Sequence, residues 1–285
     1  MKTPKFEHVA KSLSGKLGYS FLRYVASGAF KETYEVQQVG GTKAALKVMD
    51  PAKCNLCRNE REMNSMKRCQ HVGIARLLES GETFDDAGQS FYFSVEDFFD
   101  GGSLADRLKG GSLSVERAIE YGKHLAGALE HMASVNLVHR DIKPENIMFR
   151  DAAHDPILVD FGLVRDLSRS SLTQTWLASG PCTPLYASPE QLNNDKNLID
   201  WRTDQFAVGV VMSYCITGKH PYLKEESASE VTAIESVAQR EDVATWFKQF
   251  ARRNRIEFLI KMLHAWPNRR FTYPTDLVTA FAERR

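Results

Sequence analysis

The chain has 285 residues with 37 basic and 36 acidic side chains, and its net charge of +1 recommends neither a nucleic-acid nor a membrane partner. Hydrophobic residues make up an ordinary 43%, no apolar run approaches the roughly 20 residues that cross a bilayer, and the first residues lack the apolar core of a secretion signal. The five cysteines (54, 57, 69, 182 and 215) form an odd set with no disulfide framework, which predicts a soluble protein of a reducing compartment, the cytoplasm.

Residues 1–20 read as a polar extension with room for a short helix. Residues 21–25, 33–36 and 44–49 read as three strands, with a turn at Gly40-Gly41 between the last two. Cys54-Asn55-Leu56-Cys57 has no second pair to complete a zinc site and reads as two reduced thiols. Residues 59–67 suit a helix, residues 74–78 and 91–95 two more strands, and 82–89 a polar hairpin between them. Gly101-Gly102 is a flexible junction, after which Ser103 can cap a helix. Residues 115–132 carry Ala118, Ile119, Leu125, Ala128, Leu129 and Met132, mostly at three- and four-residue spacing, and predict a buried helix.

That helix leads into His139-Arg140-Asp141-Ile142-Lys143-Pro144-Glu145-Asn146, and Asp160-Phe161-Gly162 follows 19 positions after Asp141. These residues are a set that can move a phosphoryl group. Asp141 can accept the proton of an incoming hydroxyl, Lys143 can neutralise the moving phosphate, and Asn146 and Asp160 can hold Mg²⁺. The pattern resembles the catalytic loop and metal-binding tripeptide of the protein kinases. The resemblance extends over about residues 21–280.

It implies an α+β, bilobal fold: an extension at 1–20, an antiparallel sheet with one main helix over 21–96, and a hinge with a mainly helical lobe over 97–285. It implies ATP and Mg²⁺ as cofactors, and Lys143 is the residue of the Ser/Thr kinases, so a protein substrate with Ser/Thr acceptors is expected, together with self-phosphorylation. Ala26, Ser27, Gly28 and Ala29 would cover the phosphates. Only Gly28 remains of the usual three glycines, since Ala26 and Lys31 occupy the other slots and Thr33 stands where the pattern has Val. Lys31 either adds charge near the phosphates or points to solvent. Lys47 would pair with the phosphates and with Glu62, chosen over Glu60 by its spacing to His71. Glu96 through its carbonyl and Phe98 through its amide would take the adenine edge, with Val95 behind it. His139, Phe161 and Met66 would be apolar struts.

Further along, Thr183 would contact Asp141 and Lys143, and residues 183–190 would form a peptide-docking ledge. The resemblance pairs Glu190 with Arg270 and sets Asp204 on the backbone of the catalytic loop. Arg140 and Arg165 would grip a phosphate on Ser168, Ser170, Ser171, Thr173, Thr175 or Ser179, although solvation suits Arg165 as well. Two other readings exist: a partner-binding pseudokinase, suggested by the depleted glycine loop, and a small-molecule phosphotransferase, which the ledge, Asp204 and Arg270 disfavour.

Overall fold

The computed structural model describes residues 3–28, 30–52, 63, 66–151, 155–160, 165–166, 183–225 and 229–284. The chain divides into two units, Met1–Gln70 with Ala75–Asp100, and His71–Ile74 with Gly101–Arg285. The first unit runs to Asp100 and includes residues 3–18.

The first unit is an antiparallel sheet of β1 (Tyr19–Ser27), β2 (Lys31–Gln38), β3 (Lys43–Met49), β4 (Leu77–Phe84) and β5 (Ser90–Asp97), in the order β1-β2-β3-β5-β4. Gly40 and Gly41 turn the β2–β3 hairpin at φ of 111° and 94°, a region open to glycine and strained for other residues. β4 begins at Leu77 and runs on to Phe84, offset from the expected strand at 74–78, because its pairing with β5 continues through Phe84↔Ser90. The β4–β5 turn is made by Asp85, whose Oδ1 accepts the N–H groups of Ala87 at 2.9 Å and Gln89 at 2.8 Å.

Strand alternation sorts this sheet into two faces. Tyr34, Val36, Ala44, Leu46, Val48, Phe91, Phe93 and Val95 pack with Val9, Ala10 and Leu13 of α1 (Glu7–Lys16) in one core. The extension is thus a helix whose apolar stripe completes that core. Its entry is tied down by the Glu32 carboxylate, which accepts the N–H groups of Lys5 and Phe6 at 3.0 Å and the Tyr34 hydroxyl at 2.5 Å.

The second unit is mainly helical. α2 (Leu104–Leu108) starts in a reciprocal cap: Ser103 Oγ accepts the Asp106 N–H, and the Asp106 carboxylate accepts the Ser103 N–H, both at 3.1 Å. α3 (Val115–Ser134) is the helix that the periodicity predicts, with its apolar positions buried. Short antiparallel pairs follow, β6 (Leu137–Val138) with β9 (Arg165–Asp166) and β7 (Ile147–Phe149) with β8 (Pro156–Leu158). Then come α4 (Pro189–Leu192), α5 (Trp201–Thr217), α6 (Glu230–Ala238), α7 (Thr245–Arg253), α8 (Phe258–Met262) and α9 (Pro274–Glu283). α5 is buried on nearly all sides and begins at the cap residue Asp200. α3 and α9 approach so closely at Gly122 that a Cβ there would lie 2.1 Å from the Phe281 ring, so no larger residue fits without a shift. Among the described residues no helix is long and apolar enough to cross a membrane.

Candidate active site

In the first unit, β3 sets Lys47 beside β5. Its ammonium lies 2.5 Å from Glu96 Oε2, and Ser94 Oγ donates to Glu96 Oε1 at 2.8 Å. Lys47 and Glu96 are 7% and 2% exposed, so this is an ion pair inside the protein. Val95 is not on this face: its side chain belongs to the core under α1, and Glu96 is the β5 residue beside Lys47. Strand alternation is the reason, since neighbours on β5 point to opposite sides. Phe98 follows the strand, with the Lys43 ammonium 5.8 Å from its ring centre. At the end of β1, Ala26 and Ser27 pair with Thr33 and Glu32 of β2, and in the loop that follows Gly28 N–H donates to the Lys31 carbonyl at 2.8 Å. Ala29 and Glu62 lie outside the described residues, as do Phe161, Cys54, Cys57 and the loop hydroxyls from Ser168 to Ser179. Arg165 is described by its backbone alone, paired with Val138.

In the second unit the catalytic-loop residues converge. Asp141 Oδ1 accepts the Thr183 hydroxyl at 2.8 Å and the Thr183 N–H at 3.2 Å. Asp141 Oδ2 lies 2.9 Å from the Lys143 ammonium and accepts Asn146 Nδ2 at 3.1 Å. Lys143 also donates to Thr183 Oγ1 at 2.8 Å. Asn146 Nδ2 reaches the Asp141 carbonyl at 2.9 Å as well, so the amide's nitrogen side is taken by Asp141 and its oxygen is the end left for a cation.

The backbone around these groups is held in an unfavourable form. Arg140 and Asp160 have φ of 71° and 67°, which costs a non-glycine residue about 1–3 kcal/mol unless its surroundings impose it. For Arg140 they do. Asp204, on α5, accepts the His139 N–H at 2.7 Å and the Arg140 N–H at 2.8 Å, and Gln191 Nε2 donates to the Arg140 carbonyl at 2.8 Å. Burial pushes the Asp204 carboxyl up to about 7, while those two N–H donors favour its charged form. His139 is wholly buried, but it is not an apolar strut. Its Nδ1 faces the Asp141 N–H at 3.4 Å and its Nε2 the Val159 carbonyl at 3.1 Å, and burial holds its pKa below the usual histidine value. The neutral ring therefore bridges the backbone before Asp141 to the backbone before Asp160. Met66 is buried, as a strut would be.

The expected ledge is anchored. Arg270 donates to Glu190 at 2.8 and 2.9 Å, Thr203 Oγ1 adds a bond to Glu190 at 3.0 Å, and Arg270 also reaches the Arg202 and His264 carbonyls at 2.8 Å. Trp266, which precedes the ledge anchor, packs under the Arg240 guanidinium 4.1 Å from its ring. The sequence reading missed Gln191 and the side chains of Ser94 and Glu96. The alternation of Phe91, Phe93 and Val95 with Tyr92, Ser94 and Glu96 was the available signal for Glu96.

A cation fits the donor set of Asn146 and Asp160. Both offer oxygen, the ligand Mg²⁺ takes, and Mg²⁺ is ordinarily held by one or two such side chains plus substrate phosphates. Among the described residues there is no cluster of three or more His, Cys, Asp or Glu that could hold a metal ion.

Fold and site define a protein kinase domain. The model of that family matches residues 19–281, and the chain belongs to the family. It is similar to the serine/threonine-protein kinase PknD of Mycobacterium tuberculosis, 33% identical over 210 residues that are 72% of this chain and 30% of the relative. It is similar to the serine/threonine-protein kinase pkn2 of Myxococcus xanthus, 32% identical over 214 residues, 72% of this chain and 25% of the relative. PrkC of Bacillus subtilis, also a serine/threonine-protein kinase, is 28% identical over 227 residues, 78% of this chain and 33% of the relative. The chain thus spans about a third or less of the length of these relatives.

Proposed function

We propose that this chain transfers the γ-phosphoryl group of ATP to a serine or threonine hydroxyl of a protein. The closed triangle of Asp141, Lys143 and Thr183 carries this reading. It presents a carboxylate to an incoming hydroxyl with a cation beside it, and Thr183 Oγ1 fixes both groups by accepting from one and donating to the other. Asp141 orients the acceptor hydroxyl and takes its proton, and Lys143 lowers the cost of charge on the transferring phosphoryl. Asn146 and Asp160 would hold magnesium, and bound Mg-ATP supplies the phosphoryl group and a counter-charge for it.

Lys47 would hold the α- and β-phosphates, with Glu62 as the helix partner that the family implies. Backbone groups of Glu96 and Phe98 would take the adenine edge, and Ala26, Ser27, Gly28 and Ala29 would lie over the phosphates. That the relatives are serine/threonine-protein kinases supports a protein acceptor, and self-phosphorylation within residues 168–179 follows as part of the proposal. Buried, unbridged Cys69 and Cys215 suit a reducing compartment, and we place the activity in the cytoplasm.

The test is radiolabel transfer from Mg-ATP to a generic protein acceptor. Wild type labels the acceptor, and Asp160→Ala, folded to the same melting temperature, does not. Equal labelling by Asp160→Ala overturns the assignment, and so does an inert wild type.

A further inference from the structure

We infer that Glu96, seated by Ser94, is a positioning residue for phosphoryl transfer that holds the Lys47 ammonium from within the sheet. The inference rests on the phosphotransferase reading above and adds to it a residue on β5.

The geometry is that of a built seat. β3 and β5 are neighbours, with Ala45 opposite Glu96 and Lys47 opposite Ser94, so Lys47 reaches Glu96 along the diagonal of the ladder. Ser94 and Glu96 share a face because they are two residues apart. One carboxylate oxygen meets the ammonium at 2.5 Å and the other accepts the Ser94 hydroxyl at 2.8 Å, which fixes the plane of the carboxylate. Both charges are nearly excluded from water, a costly arrangement that a pair of apolar residues would avoid. An ordinary core has no use for it, since the other face of the same strands carries Leu46, Val48, Phe93 and Val95.

What the pair does achieve is orientation. A lysine side chain has four rotatable bonds, and here its end is anchored by a group borne on the adjacent strand. One of its three N–H donors goes to Glu96, which leaves two to share between phosphate oxygens and the proposed Glu62 partner. Because both partners belong to one sheet, this hold on Lys47 follows the sheet and does not depend on where any helix stands.

The experiment is ATP-dependent kinetics with a folding control. Glu96→Gln keeps the shape and removes the charge, and it should lower kcat/KM for ATP by about tenfold or more, as loss of a charge-assisted bond does. Ser94→Ala should lower it by about threefold, in a protein with an unchanged melting temperature. Affinity for Mg-ATP is then measured in the Lys47→Met background, where Glu96→Gln should have no further effect. A role confined to folding would shift melting in both backgrounds and leave the kinetics of the folded fraction alone. Unchanged kcat/KM in both Glu96→Gln and Ser94→Ala, in an enzyme that Asp160→Ala silences, overturns this inference and spares the function. An equal Glu96→Gln penalty with and without Lys47 also overturns it. A wild type that neither transfers phosphate nor binds Mg-ATP overturns the function and this inference together.

Discussion

Arg270 and Glu190 are 80 positions apart and meet through two hydrogen bonds of 2.8 and 2.9 Å, with neither side chain exposed. The pair joins the start of the ledge helix α4 to the segment before α9, and the Arg202, His264 and Ala265 carbonyls take the other guanidinium N–H groups. Removing either partner strands a buried charge, at about 3–5 kcal/mol. Arg270→Ala and Glu190→Ala should each lower the urea midpoint by that measure. Arg270→Lys should fail to restore it, because a lysine cannot make the paired contact. The double variant Glu190→Leu with Arg270→Met should lose less than the sum of the single variants.

Thr183 joins Asp141 to Lys143 through one oxygen. Thr183→Ala removes two bonds to charged groups and leaves the core untouched. The expected result is a fall in kcat of about 10- to 100-fold with nearly unchanged melting, and Thr183→Ser should recover most of the rate. Steady-state kinetics with a protein acceptor checks this. A Thr183→Ala enzyme at the wild-type rate would remove Thr183 from the site.

His220 connects the ledge to the second unit's core. Its Nε2 faces the Leu185 carbonyl at 3.0 Å and its Nδ1 the Tyr222 N–H at 3.2 Å, and burial pushes its pKa down to about 4 against the pull of that carbonyl. The folded pKa lies below the unfolded one. As pH falls below the ordinary histidine value, the unfolded chain takes up a proton first, so stability present near neutrality drains away as pH approaches 4. Melting temperature should drop between about pH 7 and about pH 5, and His220→Gln should show a smaller drop over that window. Parallel curves for the two proteins would mean that His220 does not contribute to the acid limb.

Leu13 is 3% exposed in the core that α1 shares with the sheet. Leu13→Ala should cost about 2–5 kcal/mol, the range for a truncated core leucine, whereas a freely hanging extension would tolerate it. Glu32→Gln should add a separate loss, since that carboxylate accepts the Lys5 and Phe6 N–H groups that lead into the helix. Denaturant unfolding of the two variants measures both.

Much of the second unit could be read from the sequence because its chemistry sits in short local runs. Asp141, Lys143 and Asn146 fall within six residues, and the long helix before them repeats at helical spacing. Asp204, Thr183, Glu190 and Arg270 are far apart in sequence and were reached through family resemblance, and their contacts are those it implies. The first unit was harder. Which of Val95 and Glu96 faces Lys47 depends on strand register, and a slip of one residue exchanges the faces. Residues 91–96 alternate Phe-Tyr-Phe-Ser-Val-Glu, which puts Ser94 and Glu96 on one face, and the pairing with β3 shows that this face carries Lys47. α1 was readable in part, since Val9, Ala10 and Leu13 lie three and four apart, but Lys, Ser and Glu around them gave the segment a polar look. His139 misled because a buried ring was taken as apolar, when both of its nitrogens are used by the backbone.

In the proposed reaction Asp141, held by Thr183, Lys143 and Asn146, directs a phosphoryl group onto a protein hydroxyl. Mass spectrometry of the chain and a protein acceptor, before and after Mg-ATP, tests it most directly with wild type and Asp141→Asn side by side. Wild type should yield phosphoserine or phosphothreonine, and Asp141→Asn none above background at equal folded concentration. Phosphate gained equally by both proteins, or by neither, would contradict it.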